Sequence, residues 1–260
     1  MLNKAKRIVF KVGTSTLTYK TGMTNIRHME ELVKALSDIH NSGTEVVLVS
    51  SGAIAVGVGK LGLPEKPVDT PGRQAAATVG QCELMFIYDR MFSQYGQNIG
   101  QLLITKDDVD DSKRHENLIN AFEKLFEYRV IPIINENDSV AIDEIVYGDN
   151  DRLSAVVAQC VNADALVILS DIDGLYTANP STDKDATLIK TVDKIDDYIL
   201  SIAKGAGSTF GTGGMYTKIL AAQIAAQSGI DTYIINSTPV NNIYKLMEGE
   251  QVGTLFKANK

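Results

Sequence analysis

Short, continuously apolar runs alternate with helical patterns along this chain of 260 residues. Apolar residues recur every three or four positions between Ile26 and Ile39, which predicts an amphipathic helix. Predicted strands are residues 7–12, 45–49, 99–104, 130–134, 165–169 and 232–235, and further predicted helices are residues 75–95, 118–126, 152–161, 195–202 and 215–227. Strands that are apolar on both faces are typical of a mostly parallel sheet covered by helices on both sides. The pattern therefore predicts an α/β fold, and the chain length fits a single domain.

Two proline-rich or polar segments interrupt this alternation, and we expect residues 59–72 and 176–185 to be loops. Residues 57–62 formally match the dinucleotide-binding pattern GxGxxG. Because Pro64 and Pro67 follow at once, we interpret this as a chance match in a loop. The chain contains no Walker A sequence.

Composition excludes several classes of protein. The net charge is −7 and the pI is about 5.0, which disfavours nucleic acid as a partner because phosphate binding needs a basic surface. Cys82 and Cys160 are far apart and have no metal-ligand spacing, which favours a reducing compartment. No signal-peptide pattern and no run near the roughly 18 apolar residues of a membrane span occurs, so we expect a cytoplasmic protein without a membrane partner.

Polar or glycine-rich residues follow four of the predicted strands, at residues 11–15, 50–52, 135–138 and 170–171. In open α/β sheets, ligands bind beyond the carboxyl ends of the strands. We therefore expect these four segments to share one ligand-binding cleft.

Carboxylates and amides are concentrated between Asn135 and Asp151. Carboxylates can hold the ammonium group of a small zwitterion, and amides can hold its carboxylate. A solvated acidic loop explains the same spacing equally well.

Three glycines, at residues 211, 213 and 214, directly precede a predicted helix that carries Lys218 in its first turn. Free N–H groups and the helix dipole attract an anion at such a position. A flexible turn is the alternative, but a lysine opposes the dipole there and needs another reason. We favour phosphate binding, and Lys11 beside Gly13 is a second candidate phosphate contact.

In these segments the chain resembles the amino acid kinase family, and it is most similar to the glutamate-specific branch. The matching segments are residues 10–15, 51–55, 134–138, 148–151, 174–177 and 211–218. The resemblance implies a three-layer α/β/α sandwich around a mostly parallel sheet. Residues 1–160 would form a glutamate-binding lobe and residues 161–260 an ATP-binding lobe.

The resemblance also implies roles for individual residues. Lys11 and Lys218 would contact the transferring phosphoryl group, and Asp151 would hold the two lysines in place. The substrate-binding residues would be Ser51, Gly52, Asn135, Asp138, Asp149 and Asn150. The nucleotide would contact Lys11, Gly13, Ser170, Asp171, Thr212, Gly213, Gly214, Met215, Tyr216, Thr217 and Lys218. No protein ligand of Mg²⁺ is assigned.

The implied reaction is the ATP- and Mg²⁺-dependent phosphorylation of the γ-carboxylate of L-glutamate, the first step of proline biosynthesis. Implied partners are a γ-glutamyl phosphate reductase, a second copy of the chain and the feedback inhibitor proline. Many relatives carry a C-terminal PUA domain, which we expect to be absent here. Alternatives are a kinase for acetylglutamate, aspartate, carbamate or uridylate, and a nucleotide-sensing or RNA-binding module without turnover.

Overall fold

The computed structural model describes residues 2–19, 21–140, 150–205 and 214–258. The strands in this part of the chain are β1 (Arg7–Val12), β2 (Glu45–Ser50), β3 (Asn98–Ile104), β4 (Val130–Glu136), β5 (Ala165–Ser170), β6 (Thr191–Val192), β7 (Asp231–Asn236) and β8 (Thr254–Phe256). The helices are α1 (Thr14–Leu17), α2 (Ile26–Asn41), α3 (Ala53–Leu61), α4 (Thr70–Ser93), α5 (Lys106–Asp110), α6 (Ser112–Glu127), α7 (Asn150–Cys160), α8 (Asp197–Gly205), α9 (Met215–Gln227) and α10 (Asn241–Met247). A short 3-10 helix, Leu2–Lys4, precedes β1.

The six predicted strands and the long predicted helices are confirmed, with ends that shift by a few residues. The loop predicted for residues 59–72 is wrong at both ends, because α3 extends through Leu61 and α4 begins at Thr70. Asp69 caps α4 by accepting a hydrogen bond from the N–H of Gly72 at 2.8 Å. Pro71 lies in the first turn, where a proline is tolerated because its missing N–H would be unpaired anyway.

The chain divides into two compact units. The middle unit is Val12–Val146, and the terminal unit combines Met1–Lys11 with Tyr147–Lys260. The predicted division into a glutamate-binding and an ATP-binding part concerns ligands, and it stays a prediction.

In the middle unit, strands β3, β4 and β2 lie side by side, and both neighbouring pairs are parallel. Parallel pairing brings Ser50, the last residue of β2, and Asn135, the next-to-last residue of β4, to the same carboxyl end of these strands. Helices α3 and α4 pack against each other through glycines.

In the terminal unit, the strand order is β1, β5, β7, β8 and β6. Strands β5 and β7 are parallel, with Ser170 opposite Asn236, whereas β8 runs antiparallel to β7. Every residue of β1 is buried, including Lys11, so the lysine needs a charged partner. Across the described part of the chain, no helix combines the length and the apolar character needed to span a bilayer.

Candidate active site

The terminal unit contains a buried cluster of three charged side chains. Lys11 Nζ lies 2.6 Å from Asp151 Oδ1, and Lys218 Nζ lies 3.1 Å from Asp151 Oδ2. The relative exposure is 3% for Lys11, 0% for Asp151 and 6% for Lys218. The structure thus brings together the three residues that were assigned to catalysis from the sequence.

Two ammonium groups approach the carboxylate of Asp151 in this cluster. Removing charges from water is costly even when they are paired. The negatively charged phosphate groups of a nucleotide would be attracted to two ammonium groups arranged in this way.

Helix ends explain why this arrangement is favourable for one partner and unfavourable for the other. Asp151 lies in the first turn of α7, where the helix dipole stabilises a carboxylate. Lys218 lies near the start of α9, where the same dipole opposes a cation. The ion pair between them offsets that repulsion.

Two hydroxyl groups surround Asp151. Thr217 Oγ1 lies 3.0 Å from Asp151 Oδ2 and 2.8 Å from the carbonyl oxygen of Gly214. Ser154 is fully buried, and its Oγ donates to the main-chain oxygen of Asp151 at 2.5 Å. Asp151 is therefore held through both its side chain and its backbone.

The remaining candidate nucleotide-binding residues of the terminal unit lie at the end of β5 and at the start of α9. Ser170 is buried at the end of β5, and its hydroxyl donates to Asp171 Oδ1 over a long 3.4 Å. At the start of α9, Gly214 is the N-cap residue, Met215 is buried and Tyr216 is half-buried. Thr212 and Gly213 lie outside the described residues.

The middle unit carries most of the candidate glutamate ligands, and helix α4 fixes two strand ends there. Asn135 Nδ2 donates to Gln81 Oε1 at 2.8 Å, and Asn135 Oδ1 accepts the N–H of Glu136 at 2.9 Å. Tyr88 follows Gln81 by seven residues in α4, and its hydroxyl lies 2.9 Å from Ser50 Oγ. Burial raises the pKa of Tyr88 far above its ordinary value of 10, and the hydrogen bond to Ser50 offsets this only in part.

Sequence reasoning missed Gln81 and Tyr88. Both are polar groups on one face of α4, two helical turns apart, and both are almost fully buried. That spacing on an otherwise apolar face is the signal that could have identified them.

Ser51 and Gly52, the candidate substrate loop after β2, form a tight turn. Ser51 donates its N–H to the carbonyl oxygen of Val12 at 3.1 Å. Gly52 adopts a left-handed φ of 100°, which favours glycine, while a Cβ at this position would meet only ordinary contacts. Gly13 is the N-cap residue of the four-residue helix α1 and belongs to this unit, whereas the lysine cluster belongs to the terminal unit.

The remaining substrate candidates lie around residue 138 and at the start of α7. Asp138 is half-buried, and the adjacent Asn137 donates its N–H to the carbonyl oxygen of Ile104 at 3.1 Å. Asn150 is half-buried at the first position of α7. Asp149 lies outside the described residues. Whether the four predicted strand ends share one cleft stays a prediction.

The described residues contain no group of three or more histidine, cysteine, aspartate or glutamate side chains arranged to hold a metal ion. Mg²⁺ bound with a nucleotide keeps several waters and is held largely by phosphate oxygens. A magnesium–nucleotide complex therefore does not require a cage made only of protein ligands.

Comparison with known proteins gives consistent results. The sequence model of the Amino acid kinase family matches residues 6–236. A glutamate 5-kinase from Clostridium tetani is 53% identical over 259 residues, covering 100% of this chain and 97% of the relative. A glutamate 5-kinase from Listeria innocua serovar 6a is 50% identical over 263 residues, covering 100% of this chain and 95% of the relative.

Solved structures confirm the predicted fold class. A UMP kinase from Bacillus anthracis superposes with a TM-score of 0.65 at 15% identity, covering 98% of this chain and 97% of its own. An isopentenyl phosphate kinase from T. acidophilum superposes with a TM-score of 0.66 at 18% identity, covering 96% of this chain and 100% of its own. At such low identity these structures establish the α/β architecture and carry no information on the substrate.

Proposed function

This chain belongs to the amino acid kinase family, and on that premise we propose that it transfers the γ-phosphoryl group of ATP to the γ-carboxylate of L-glutamate. The product is γ-glutamyl phosphate, the first intermediate toward proline. About half of all residues are identical to those of glutamate 5-kinases over the whole chain. This degree of similarity supports the same acceptor as in those relatives.

The observation that carries the phosphoryl-transfer part is the position of Asp151 between two buried lysines. Lys11 and Lys218 approach different oxygens of one carboxylate, at 2.6 and 3.1 Å. The carboxylate fixes where the two ammonium groups lie before any nucleotide binds. Such preorganised cations stabilise charge that develops on a transferring phosphoryl group without having to rearrange.

The reaction needs no general base. A glutamate γ-carboxylate, with an ordinary pKa near 4.3, is already ionised at neutral pH and attacks the γ-phosphorus directly. The task of the protein is to place two anions in line and to neutralise their repulsion. Lys11 and Lys218 perform the second task in this proposal, while Mg²⁺ bound to the nucleotide supplies further neutralisation of phosphate charge.

Recognition of glutamate falls to Ser51, Gly52, Asn135, Asp138, Asp149 and Asn150. The Asp138 carboxylate would hold the α-ammonium group, and the Asn150 amide would hold the α-carboxylate. Gln81 accepts a hydrogen bond from Asn135 Nδ2 at 2.8 Å and so orients the Asn135 amide for a ligand. An acceptor phosphate, as in a uridylate kinase, would meet the acidic segment with the wrong sign of charge.

Feedback and partners extend this proposal. Proline carries the same α-carboxylate and a cationic amine, so it would compete with glutamate at Asp138 and Asn150. Initial rates at subsaturating glutamate, with and without excess proline, test this point, and unchanged rates would contradict it. A γ-glutamyl phosphate reductase as the next enzyme, a homo-oligomer and a cytoplasmic location belong to the same proposal.

An acceptor panel tests the central claim. ATP consumption is measured with free glutamate, acetylglutamate, aspartate and uridylate, and hydroxylamine traps any acyl phosphate as a hydroxamate. We expect hydroxamate with glutamate alone. Turnover with another acceptor and none with glutamate would reject the proposal.

A further inference from the structure

Two lysines approach the Asp151 carboxylate at different oxygens, and the plane of the carboxylate decides where both ammonium groups lie. Lys11 approaches Oδ1 and Lys218 approaches Oδ2. The terminal torsion of aspartate is broad, so the carboxylate can rotate about its Cβ–Cγ bond. Such a rotation would move both oxygens at once. Two flexible lysine side chains do not by themselves prevent such a rotation.

Thr217 supplies a third, stiffer contact. Its hydroxyl lies 3.0 Å from Asp151 Oδ2 and 2.8 Å from the carbonyl oxygen of Gly214. The side chain is β-branched and sits in the first turn of α9, so its χ1 angle is restricted. A hydroxyl carries one proton, and a carboxylate is a stronger acceptor than a carbonyl group.

Resting on the proposed phosphoryl transfer, we infer that Thr217 is a positioning residue whose hydroxyl fixes the plane of the Asp151 carboxylate and thereby the separation of Lys11 and Lys218. This role differs from the direct nucleotide contact that the family resemblance implies for Thr217. Thr217 precedes Lys218 in the chain, so one helical turn holds both groups that meet Oδ2. Moving that turn would move the lysine and its orienting hydroxyl together.

The two roles differ in their kinetic consequences. A positioning hydroxyl acts on the geometry of the lysines when the phosphoryl group transfers, so its removal lowers kcat and leaves the KM for ATP nearly unchanged. A hydroxyl that binds the nucleotide equally well in the ground state and the transition state has the opposite effect, because its removal raises the KM for ATP at constant kcat.

Three variants separate these possibilities. Thr217→Val keeps the shape and removes the hydroxyl, whereas Thr217→Ser keeps the hydroxyl. Thr232→Val is the matched control, because Thr232 is fully buried in β7 and its hydroxyl has no hydrogen-bond partner among the described residues. Initial rates are measured over ranges of ATP and glutamate, and ATP affinity is measured by isothermal titration. Crystal structures of the parent and Thr217→Val proteins report the carboxylate plane directly.

We expect Thr217→Val to lower kcat about tenfold, within the scale of one charge-assisted hydrogen bond, with the KM for ATP within about twofold. Thr217→Ser should recover kcat to within about threefold, and Thr232→Val should behave like the parent. A raised KM for ATP at unchanged kcat in Thr217→Val overturns the inference, and so do kinetics in this variant that equal those of the parent.

If the parent protein does not phosphorylate glutamate, the proposed function fails. The crystal structures then decide the inference alone: a rotated carboxylate in Thr217→Val supports it, and an unmoved one overturns it.

Discussion

Gly57 and Gly80 face each other where α3 crosses α4, and neither position has room for a side chain. A Cβ added to Gly57 would lie 1.8 Å from the carbonyl oxygen of Ala76, and one added to Gly80 would lie 1.7 Å from that of Ala53. The obstructing atoms belong to the backbone, so no rotamer change can relieve the overlap. Because α3 begins directly after Gly52, this crossing also fixes the candidate substrate loop.

Gly80→Ala should therefore destabilise the protein although alanine favours helices. Overpacking of this kind costs about 3 kcal/mol or more when the backbone must move. The melting temperature should fall by roughly 5–10 °C for a chain of this size. Differential scanning calorimetry measures the change.

Ala75→Ser provides the control for this prediction, since it adds one heavy atom at an exposed position of α4. Its melting temperature should stay within about 2 °C of the parent value, as for most surface substitutions. A Gly80→Ala protein as stable as the control would show that the two helices can separate without cost.

The glycine pattern at residues 57–62 illustrates a limit of sequence reasoning. The loop predicted for this chance match is wrong, since residues 57–61 are helical. Gly57 is required by close contact with α4, and a Cβ on Gly59 would lie 2.8 Å from the carbonyl oxygen of Gly22. Glycine lowers helix propensity locally, and only the tertiary contact reveals why it is there.

The charged cluster could be predicted from the sequence only in part. Strand and helix periodicity placed Lys11 at a strand end and Lys218 at a helix start, and the structure brings both to Asp151. The hydroxyl of Thr217 on the same carboxylate and the amide of Gln81 on Asn135 depend on side-chain geometry between distant elements. Local sequence patterns do not predict such contacts.

Replacement of Lys218 by Ala should lower turnover by about 10²–10³-fold, the effect of removing one charge-stabilising donor. Glutamate binding should change much less, because Lys218 belongs to the cluster around Asp151. Steady-state rates and glutamate titrations measure the two effects separately.

Lys257→Ala is the matched control for this substitution. Lys257 lies 2.6 Å from Asp193 in an exposed ion pair, and surface pairs contribute little. Its activity should equal that of the parent. If Lys218→Ala retained near-normal turnover as well, the role assigned to Lys218 would be wrong.

Asp138→Asn should weaken glutamate binding and leave ATP binding almost unchanged. The substitution removes the negative charge expected to pair with the α-ammonium group, and such charge-assisted bonds contribute about 1.5–3 kcal/mol. The dissociation constant for glutamate should therefore rise roughly tenfold to a hundredfold. Asp107→Asn, an exposed change on α5, is the control and should leave both affinities unaltered. Isothermal titration that shows weaker ATP binding and intact glutamate binding would reverse the assignment of the two ligands.

Two histidines of α2 should make folding stability fall in mild acid. Burial lowers the pKa of His28 below the ordinary value of 6.5, and a nearby Glu31 raises it only in part. Burial likewise lowers the pKa of His40, whose Nδ1 lies 3.2 Å from the carbonyl oxygen of Thr44. Since the unfolded chain binds these protons more readily, both residues contribute full stability above pH 6.5. This contribution is lost as the pH falls from 6.5 toward the folded-state pKa values.

Urea unfolding at several pH values between about 8 and 5 tests this pH dependence. The unfolding free energy of the parent should decline below pH 6.5, and the decline should be smaller in a His28→Gln, His40→Gln double variant. The parent and the variant are also compared at about pH 8, where the histidines are neutral in both states, so any difference there measures packing and hydrogen bonding rather than protonation. An equal decline in both proteins would assign the acid sensitivity to carboxylates and remove the histidines from the explanation.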